Sequence, residues 1–402
     1  MSEPRSVLIV MPRWVRDGGV GAHLMRSAAA LAGAGVKVSV LVARVETDER
    51  FEGVEVHHSP MLYKTDAMEP RFERALADEP EVVHLNQLED PDVLSYLRRH
   101  AAVAVSAHGY LACASGVHYF RPGEACPRAH GPGCIPNLLL RGCAHRWNVS
   151  TYPADYRQAG RALHVLREAD VAIGYSRAMD AHLLAAGIAR RRIVPYFPTL
   201  DPAEAGDERR RRIVFAGRLV RSKGGATLLR ALAGLDAELV VCGDGVEGPK
   251  LKALAEKLGI ADRVAFRGWL APEELAREFA DASVVAVPSL WPEPFGLVGI
   301  EGFEAGRPAV GSATGGIPEW LEDGVSGLTV PAGEVPALAD ALGELLDDEP
   351  RRRAMGEAGR RTVAERYSAA SHLQALLSAY HDARTHWVRS VKQRRAPSVT
   401  SG

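Results

Sequence analysis

The chain has 402 residues, of which 47% are hydrophobic and 25% charged, and its 49 Lys and Arg residues nearly balance 50 Asp and Glu residues. Such a length predicts two or three domains with enough apolar content for real cores. The net charge of -1 argues against a nucleic-acid partner or a protein that coats an anionic membrane. The longest apolar run near the start, Val7–Met11, is too short for a signal-peptide core or a membrane span. We therefore expect a soluble cytoplasmic protein, with at most peripheral contact at the inner face of the membrane.

Short β-branched runs alternate with longer Ala- and Leu-rich stretches, a pattern typical of βαβ units and parallel sheets. In the first half the predicted strands are Ser6–Met11, Val36–Ala43, Glu81–Leu85, Ala102–Ala107 and Val171–Tyr175. In the second half they are Ile213–Ala216, Glu238–Cys242, Val264–Arg267, Val284–Val287, Pro308–Gly311 and Gly327–Val330. Helical periodicity predicts Ala22–Ala34, Gly225–Ala233, Lys250–Leu258, Pro272–Ala280 and Val335–Leu346. The predicted fold class is α/β, with two domains built on parallel sheets and separated by a cleft.

Three prolines, a glycine and several acids lie between Pro195 and Asp207, a composition that suits neither a helix nor a strand. This segment predicts an interdomain linker. We place the domains and their connections at residues 1–198 (N-terminal domain), 199–211 (linker), 212–375 (C-terminal domain) and 376–402 (a C-terminal helix able to pack back on the N-terminal domain, with a basic tail).

Two basic runs stand out on this chain of balanced charge, Arg209–Arg212 and Arg384–Arg395. Basic runs are often solvated faces rather than binding patches. We interpret the first as a solvated start to a buried strand and the second as a solvated tail.

The segment from Pro288 to Glu301 carries the strongest functional signal. A buried strand ends at Val287, a proline-rich loop follows, and a helix begins near Phe295 or Gly296. Ligands of open α/β folds bind at such strand-to-helix turns. Free backbone N–H groups of Phe295, Gly296 and Leu297, at the positive end of the helix dipole, predict an anion site.

Two glutamates flank this predicted anion site. Glu293 precedes the helix, and Glu301 lies about one and a half turns inside it. Each carboxylate can accept hydrogen bonds from vicinal hydroxyls, as a sugar and a ribose would supply. A second glycine-rich turn, Ala313–Glu319, follows.

These residues resemble a known family. Glu293-Pro-Phe-Gly-Leu-Val-Gly-Ile-Glu301 is similar to the Glu-x7-Glu signature of retaining glycosyltransferases of family 4, which have the GT-B fold of two Rossmann-like domains. Further similar motifs stand in the same order: Phe215-Ala-Gly-Arg-Leu219, Lys223-Gly224, Val241-Cys-Gly-Asp-Gly245 and Ala305-Gly-Arg-Pro308. The resemblance is close from Ile213 to Tyr367 and looser from Ser6 to Tyr196.

The resemblance implies roles for four charged residues. Glu293 would contact hydroxyls of the donor sugar, and Glu301 the ribose of the nucleotide. Arg218 and Lys223 would bind the donor diphosphate, where they stabilise the negative charge that grows as the glycosidic bond breaks. The planar guanidinium and the compact ammonium both suit phosphate oxygens.

The N-terminal half contributes two further predictions. Gly18 and Gly19 stand between the first strand and its helix, and they resemble the loop that closes over the donor in this family. His108 follows the strand Ala102–Ala107, where similar enzymes place a histidine near the donor sugar. It could bind a sugar hydroxyl or help to stabilise the charge that develops at the reacting centre.

Gly243 begins a G-x-G-x-x-G pattern that fits a dinucleotide fingerprint. The fingerprint also requires an acid at the end of the next strand. That strand ends Phe266-Arg-Gly-Trp269, without an acid. We therefore interpret Gly243 as part of a turn on the nucleotide side of the cleft.

The resemblance implies a front-face transfer that retains anomeric configuration, with no carboxylate nucleophile. No Asp-x-Asp motif stands at a strand end, and the expectation is a reaction that requires no metal cofactor, with Arg218 and Lys223 supplying the cations. The partners expected are a nucleotide diphosphate sugar as donor and a glycan, lipid-linked or small-molecule acceptor. Two alternatives stay open: a sugar-nucleotide epimerase on the same fold, and a non-catalytic nucleotide-sugar-binding subunit.

Four of the five cysteines cluster in a Gly-, Pro- and His-rich insertion at about residues 111–147: Cys113, Cys126, Cys134 and Cys143. Four thiolates suffice for a structural zinc, but the chain lacks the C-x2-C spacing typical of zinc sites. Reduced cysteines or a disulfide pair are the alternatives. We expect the insertion to influence acceptor choice.

Overall fold

The computed structural model describes most of the chain: residues 3–16, 18–63, 68–111, 113, 119–121, 124–126, 130–141, 152–201, 203 and 211–395.

The N-terminal domain is built on a seven-stranded parallel sheet. The strands of this domain are β1 (Ser6–Trp14), β2 (Lys37–Val45), β3 (Val54–His58), β4 (Val82–Asn86), β5 (Ala102–Ser106), β6 (Tyr119–Arg121), β7 (Glu124–Ala125), β8 (Val171–Gly174) and β9 (Arg191–Ile193). Strands β6 and β7 form a separate antiparallel pair outside the main sheet. The helices are α1 (Gly19–Gly33), α2 (Glu69–Leu76), α3 (Pro91–Leu97), α4 (Cys134–Arg141), α5 (Tyr152–Glu168) and α6 (Arg177–Ala185). The sheet order is β3-β2-β1-β4-β5-β8-β9.

The C-terminal domain is built on a six-stranded parallel sheet. Its strands are β10 (Arg212–Ala216), β11 (Glu238–Cys242), β12 (Val264–Gly268), β13 (Val284–Val287), β14 (Ala309–Ser312) and β15 (Gly327–Val330). Its helices are α7 (Gly225–Leu232), α8 (Gly248–Lys257), α9 (Pro272–Ala280), α10 (Leu297–Glu304), α11 (Ile317–Trp320), α12 (Val335–Asp347) and α13 (Glu349–Arg366), followed by α14 (Ala369–Arg395). The sheet order is β12-β11-β10-β13-β14-β15.

Both sheets reverse their strand order at an interior point, between β1 and β4 in one and between β10 and β13 in the other. At such a point the connections from the two neighbouring strands run in opposite directions along the sheet. A crevice therefore opens there at the carboxyl ends of the strands. The predicted α/β class with two parallel sheets is confirmed. The fold thus provides a ligand crevice in each domain.

Two edge strands were not predicted, β3 and β9. Their residues are mostly half-exposed or exposed, and they include His57, His58, Arg191 and Arg192. The central strands are buried on both faces and therefore carry continuous apolar runs. An edge strand needs no such run, so its sequence gives a weaker signal.

The interpretation of Arg212 as solvated is wrong. Arg212 is the first residue of β10, and it is buried. Its guanidinium pairs with Glu278 of α9 and lies 3.5 Å from Asp281, the residue that follows α9. The remainder of its basic run, residues 209 and 210, lies outside the described residues, whereas Arg211 pairs with Asp347. A strand that begins beside two acids can hold an arginine at its buried end.

Helix α14 packs on the N-terminal sheet, although it follows the C-terminal domain in the chain. The Tyr380 hydroxyl lies 2.8 Å from His84 Nδ1, and the Trp387 indole donates to the Arg98 carbonyl at 2.8 Å. The expectation of a solvated basic tail is wrong for Arg384, which pairs with Glu81 at 3.2 Å, and for His386, whose Nδ1 lies 2.7 Å from Asp170. Glu81 and Asp170, which directly precede β4 and β8, bind these cationic or polar groups.

None of the helices in the described part of the chain combines the length and apolar character needed to cross a membrane.

Candidate active site

The two crevices open on one cleft of about 750 Å³ between the domains. All eleven residues predicted as site residues line it: Gly18, Gly19, His108, Arg218, Lys223, Gly243, Glu293, Phe295, Gly296, Leu297 and Glu301. Residues that lie up to 283 positions apart in the chain (18 to 301) therefore share a single surface.

The start of α10 forms an anion-binding end of the cleft. Gly296 caps the helix with φ of 92°, a left-handed conformation that glycine adopts without strain. The helix begins at Leu297, one or two residues after the predicted start near Phe295 or Gly296. The backbone N–H groups of Phe295, Gly296 and Leu297 donate to no acceptor among the described residues. Free N–H groups at a helix N-terminus favour a bound anion.

The second glycine-rich turn supports the loop that carries Glu293. A Cβ atom on Gly315 would lie 2.3 Å from the backbone N and O of Glu293, so only glycine fits this close approach. The Gly316 N–H donates to the Glu293 carbonyl at 2.8 Å, and the Trp320 indole donates to the Phe295 carbonyl at 2.7 Å. The two turns therefore hold each other in place.

Lys223 and Glu293 form an ion pair inside the cleft, with Lys223 Nζ 2.7 Å from Glu293 Oε1. Glu293 is buried, and Ser289 donates a second hydrogen bond to the same oxygen. Oε2 accepts no hydrogen bond from any described residue. The ammonium of Lys223 keeps two of its three donors for another ligand. The pair thus holds the lysine in the cleft and leaves one carboxylate oxygen able to accept a hydrogen bond.

Arg218 is exposed at the cleft surface and forms no ion pair within the described ranges. It follows the end of β10, and the Gly217 N–H before it donates to the Cys242 carbonyl at the end of β11. Gly243 comes directly after that carbonyl and lines the same part of the cleft. A guanidinium without an internal partner is available to a ligand.

Glu301 is buried one turn inside α10, where Thr199 Oγ1 donates to Glu301 Oε1 at 2.8 Å. Burial raises the pKa of the Glu301 carboxyl, and the Thr199 hydrogen bonds oppose that rise. Thr199 lies in the segment that joins the two domains, so the linker helps to orient this glutamate. Its carboxylate still has acceptor capacity for ribose hydroxyls.

His108 lies in the cleft wall with both ring nitrogens bonded to protein groups. Nδ1 is 2.8 Å from the Tyr196 hydroxyl, and Nε2 is 2.8 Å from Asn86 Oδ1. The Asn86 amide nitrogen donates to the carbonyls of Val10 and His84, so Oδ1 is the acceptor and His108 Nε2 carries the proton. Burial lowers the pKa of His108 to about 3. The imidazole is therefore neutral at physiological pH, and a sugar hydroxyl would have to replace one of these partners.

The glycine loop of the N-terminal domain meets the start of α10. Gly18 caps α1 with φ of 84°, and a Cβ atom on Gly19 would lie 3.0 Å from Leu297 Cδ2. The loop predicted to close over the donor thus lies beside the predicted anion site.

Several residues of the site were missed from the sequence. Ser289 lies four positions before Glu293, and that short spacing could have been noticed. Thr199 is 102 positions from Glu301, and no sequence pattern connects the two. The cleft is also lined by four residues that belong to none of the family motifs: Gln87, Glu89, Trp269 and Trp291.

The cysteine cluster is described only in part. Cys113, Cys126 and Cys134 are each half-buried, and Cys143 lies outside the described residues. Among the described residues, the group of His, Cys, Asp and Glu side chains close enough to share a metal ion is Glu55, His57 and Asp78, which contains no cysteine. Lys37 Nζ already pairs with Asp78 at 2.6 Å. Zinc at the cysteines stays a prediction.

Comparison with solved structures defines the fold. The chain is similar to sucrose-phosphate synthase from Thermosynechococcus elongatus, with a TM-score of 0.70 and 21% identity over 94% of this chain and 98% of that one. It is also similar to Anabaena HepE in complex with UDP and glucose, with a TM-score of 0.68 and 18% identity over 93% of this chain and 99% of that one. The predicted GT-B arrangement of two domains is confirmed.

Residues 197–362 match the family "Glycosyl transferases group 1". The D-inositol 3-phosphate glycosyltransferase of Corynebacterium kroppenstedtii is 40% identical over 183 residues, which are 42% of this chain and 40% of that protein. The protein of the same name from Mycolicibacterium smegmatis is 38% identical over 174 residues, 42% of this chain and 39% of that protein. The chain thus spans less than half the length of these curated relatives. The predicted resemblance of the C-terminal domain to glycosyltransferases is confirmed.

Proposed function

We propose that this chain is a retaining glycosyltransferase of family 4, which moves a sugar from a nucleotide diphosphate sugar to an acceptor hydroxyl. One observation carries the proposal: a single cleft brings together an anion-binding helix end, two cations and two buried carboxylates. The match of residues 197–362 to the glycosyl transferases supports it. The UDP and glucose bound by the similar HepE support a nucleotide sugar as the donor.

In this proposal the donor lies along the C-terminal wall of the cleft. Arg218, Lys223 and the N–H groups at the start of α10 bind the diphosphate, and Glu301 binds the ribose. Glu293 Oε2 accepts a hydroxyl of the donor sugar, with His108 nearby. Fixed cations stabilise the departing diphosphate more strongly in the transition state than in the ground state, so they accelerate bond cleavage. Their charge removes the need for a metal cofactor.

The proposal also includes the cellular location of the protein and a role for the Cys-rich insertion. We propose a cytoplasmic location with at most peripheral contact at the inner face of the membrane, because the balance of 49 basic against 50 acidic residues argues against a protein that coats an anionic membrane. The insertion at about residues 111–147 would contribute to acceptor choice, with structural zinc as one way to order it.

An assay with a panel of nucleotide sugars, with and without acceptors, tests the activity. We expect release of nucleotide diphosphate, and NMR of the product should show the donor's anomeric configuration. A donor sugar that changes configuration without transfer would identify the epimerase instead. Binding of a donor without release or conversion would identify a non-catalytic subunit.

The variant Glu301→Ala tests the ribose assignment. We expect its affinity for the nucleotide diphosphate to fall about tenfold or more, because hydrogen bonds to a charged partner contribute about 1.5–3 kcal/mol. Titration calorimetry measures the change. Glu304→Ala, at the other end of α10, is the matched control and should bind as the wild type does.

A further inference from the structure

The N-terminal wall of the cleft includes residues to which the proposed donor site assigns no role. Gln87 and Glu89 follow β4, and Gly109 and Leu111 follow β5. All four line the cleft. Because β4 and β5 are neighbouring parallel strands, their carboxyl ends lie at the same edge of the sheet. The family match begins at residue 197 and does not include this wall.

The Glu89 carboxylate keeps part of its hydrogen-bonding capacity free. It accepts a bond from Gln158 Nε2 at 3.5 Å, the limit of hydrogen-bond distance, and a second from its own backbone N–H. No described Lys, Arg or His side chain pairs with it. A carboxylate can accept about four hydrogen bonds, so at least two sites remain for hydroxyl donors. Partial burial raises the pKa of Glu89.

Gln87 stands beside Glu89 in a strained backbone conformation. Its φ is 57°, in the left-handed region that residues other than glycine rarely adopt. Such strain costs about 1–3 kcal/mol and is concentrated at functional sites. The side chain is exposed at the cleft, and its amide can both donate to and accept from hydroxyls.

The arginines of this wall are already paired with acids. Arg13 pairs with Glu46, and Arg16 pairs with Glu49 at 3.1 Å and with Glu273 across the cleft. Both arginines line the cleft. An anion that bound there would have to compete with these carboxylates.

We propose that Glu89 and Gln87 form the acceptor subsite and select an uncharged polyhydroxyl ring, a neutral sugar or cyclitol, over an acceptor that bears a phosphate. The inference rests on the proposed function. Ring hydroxyls donate to the carboxylate and exchange hydrogen bonds with the amide, so both groups are satisfied. A phosphate beside Glu89 places two like charges in a partly desolvated cleft, which disfavours binding.

Matched acceptor pairs test the selection: glucose and glucose 6-phosphate, inositol and inositol phosphate, and a neutral disaccharide with its phosphorylated form. Nucleotide diphosphate release gives kcat/KM for each. We expect the neutral member to exceed its phosphorylated partner by at least about tenfold. Glu89→Gln should reduce this ratio, and Glu89→Lys should reduce it by at least a further tenfold.

The ratio within a pair does not depend on the amount of folded protein, so a partly unstable variant still gives a result. Glu73→Gln removes an equal charge from the exposed face of α2 and should leave the wild-type ratio unchanged. A preference for phosphorylated members, a ratio that Glu89→Lys does not move, or acceleration by no acceptor of the panel would each overturn the neutral-acceptor assignment. No release from any donor, with or without acceptor, would overturn the proposed function instead.

Discussion

Each charged residue of the cleft has an environment that suits one task. Glu293 is buried and paired with Lys223, whereas Glu301 is buried beside a neutral hydroxyl. The carboxylate of Glu293 therefore has a cation as its partner, whereas burial raises the pKa of Glu301. Two glutamates from one motif thus lie in different electrostatic environments.

The Thr199 hydroxyl should set the pH range over which the nucleotide binds. Ribose hydroxyls donate to the ionised Glu301, so affinity is full above its raised pKa and falls as the pH drops through it. Thr199→Val removes a hydrogen bond that lowers this pKa, so the fall should begin at a higher pH. Calorimetry with the nucleotide diphosphate between about pH 4 and 8 measures the shift. Thr199→Ser keeps the hydroxyl and should follow the wild type; identical profiles for all three would contradict the account.

Lys223→Met should slow the reaction while keeping the side-chain stem. Removal of one preorganised charge donor typically costs about 10²- to 10³-fold in kcat. The variant also leaves a buried carboxylate without its cation, so we expect a lower melting temperature as well. Steady-state release of nucleotide diphosphate and thermal unfolding measure the two effects.

Lys250→Met is the matched control for this change. Lys250 pairs with Glu247 at 2.6 Å but is well exposed on α8, and such pairs contribute at most about 1 kcal/mol. Equal losses of rate in the two variants would show that Lys223 has no special role.

At the scale of elements, strand-to-helix turns position the chemistry. The loop after β13 carries Glu293, the turn after β14 supports it, and α10 supplies the N–H groups and Glu301. Each turn follows a central strand, and the close contact between the turns depends on Gly315.

Gly315→Ala should therefore disturb the site from outside the cleft. The substitution combines a φ of 59° with an overlap against the Glu293 backbone, so we expect a loss of at least about 2 kcal/mol in the free energy of unfolding and a large loss of activity. Gly33→Ala, at an exposed helix end with nothing within 4 Å, should be neutral or stabilise by up to about 1 kcal/mol. Thermal melts of the two variants give the comparison, and similar melting temperatures would disprove the role of Gly315.

The sequence was informative where a local pattern determines a local structure. Continuous apolar runs located the central strands, and Glu293 to Glu301 marked the turn that becomes the anion site. The pattern did not reveal the bond from Thr199 to Glu301 or the two partners of His108, because these contacts join residues far apart in the chain. The edge strands β3 and β9 were missed for a different reason, since half-exposed strands lack a strong apolar signal.

At the scale of the whole molecule, α14 connects the two domains. It follows α13 of the C-terminal domain and packs on β4, β5 and β8 of the other. His372 Nδ1 lies 2.8 Å from the Pro195 carbonyl, and its Nε2 lies 3.1 Å from the Ser27 hydroxyl. Tyr196, three residues before the linker, also packs against Phe295, with ring centroids 5.4 Å apart. The end of the N-terminal domain and the last helix therefore meet beside the cleft.

Tyr380→Phe should weaken this connection. The change removes the hydroxyl 2.8 Å from the buried His84 Nδ1 and leaves that nitrogen without its partner, which costs about 1–3 kcal/mol. Chemical denaturation measures the free energy of unfolding. Tyr63→Phe removes a hydroxyl from a ring that is 46% exposed and should change stability by less than about 0.5 kcal/mol. A Tyr380→Phe protein as stable as Tyr63→Phe would rule out this role for the helix.

The most direct test of the account is a crystal structure of the chain with a bound nucleotide diphosphate, soaked in turn with UDP, GDP and ADP. The account predicts phosphate oxygens within hydrogen-bond distance of Arg218, Lys223 and the N–H groups at the start of α10, with the ribose hydroxyls on Glu301. A nucleotide bound outside this cleft, or a ribose that does not contact Glu301, would contradict it.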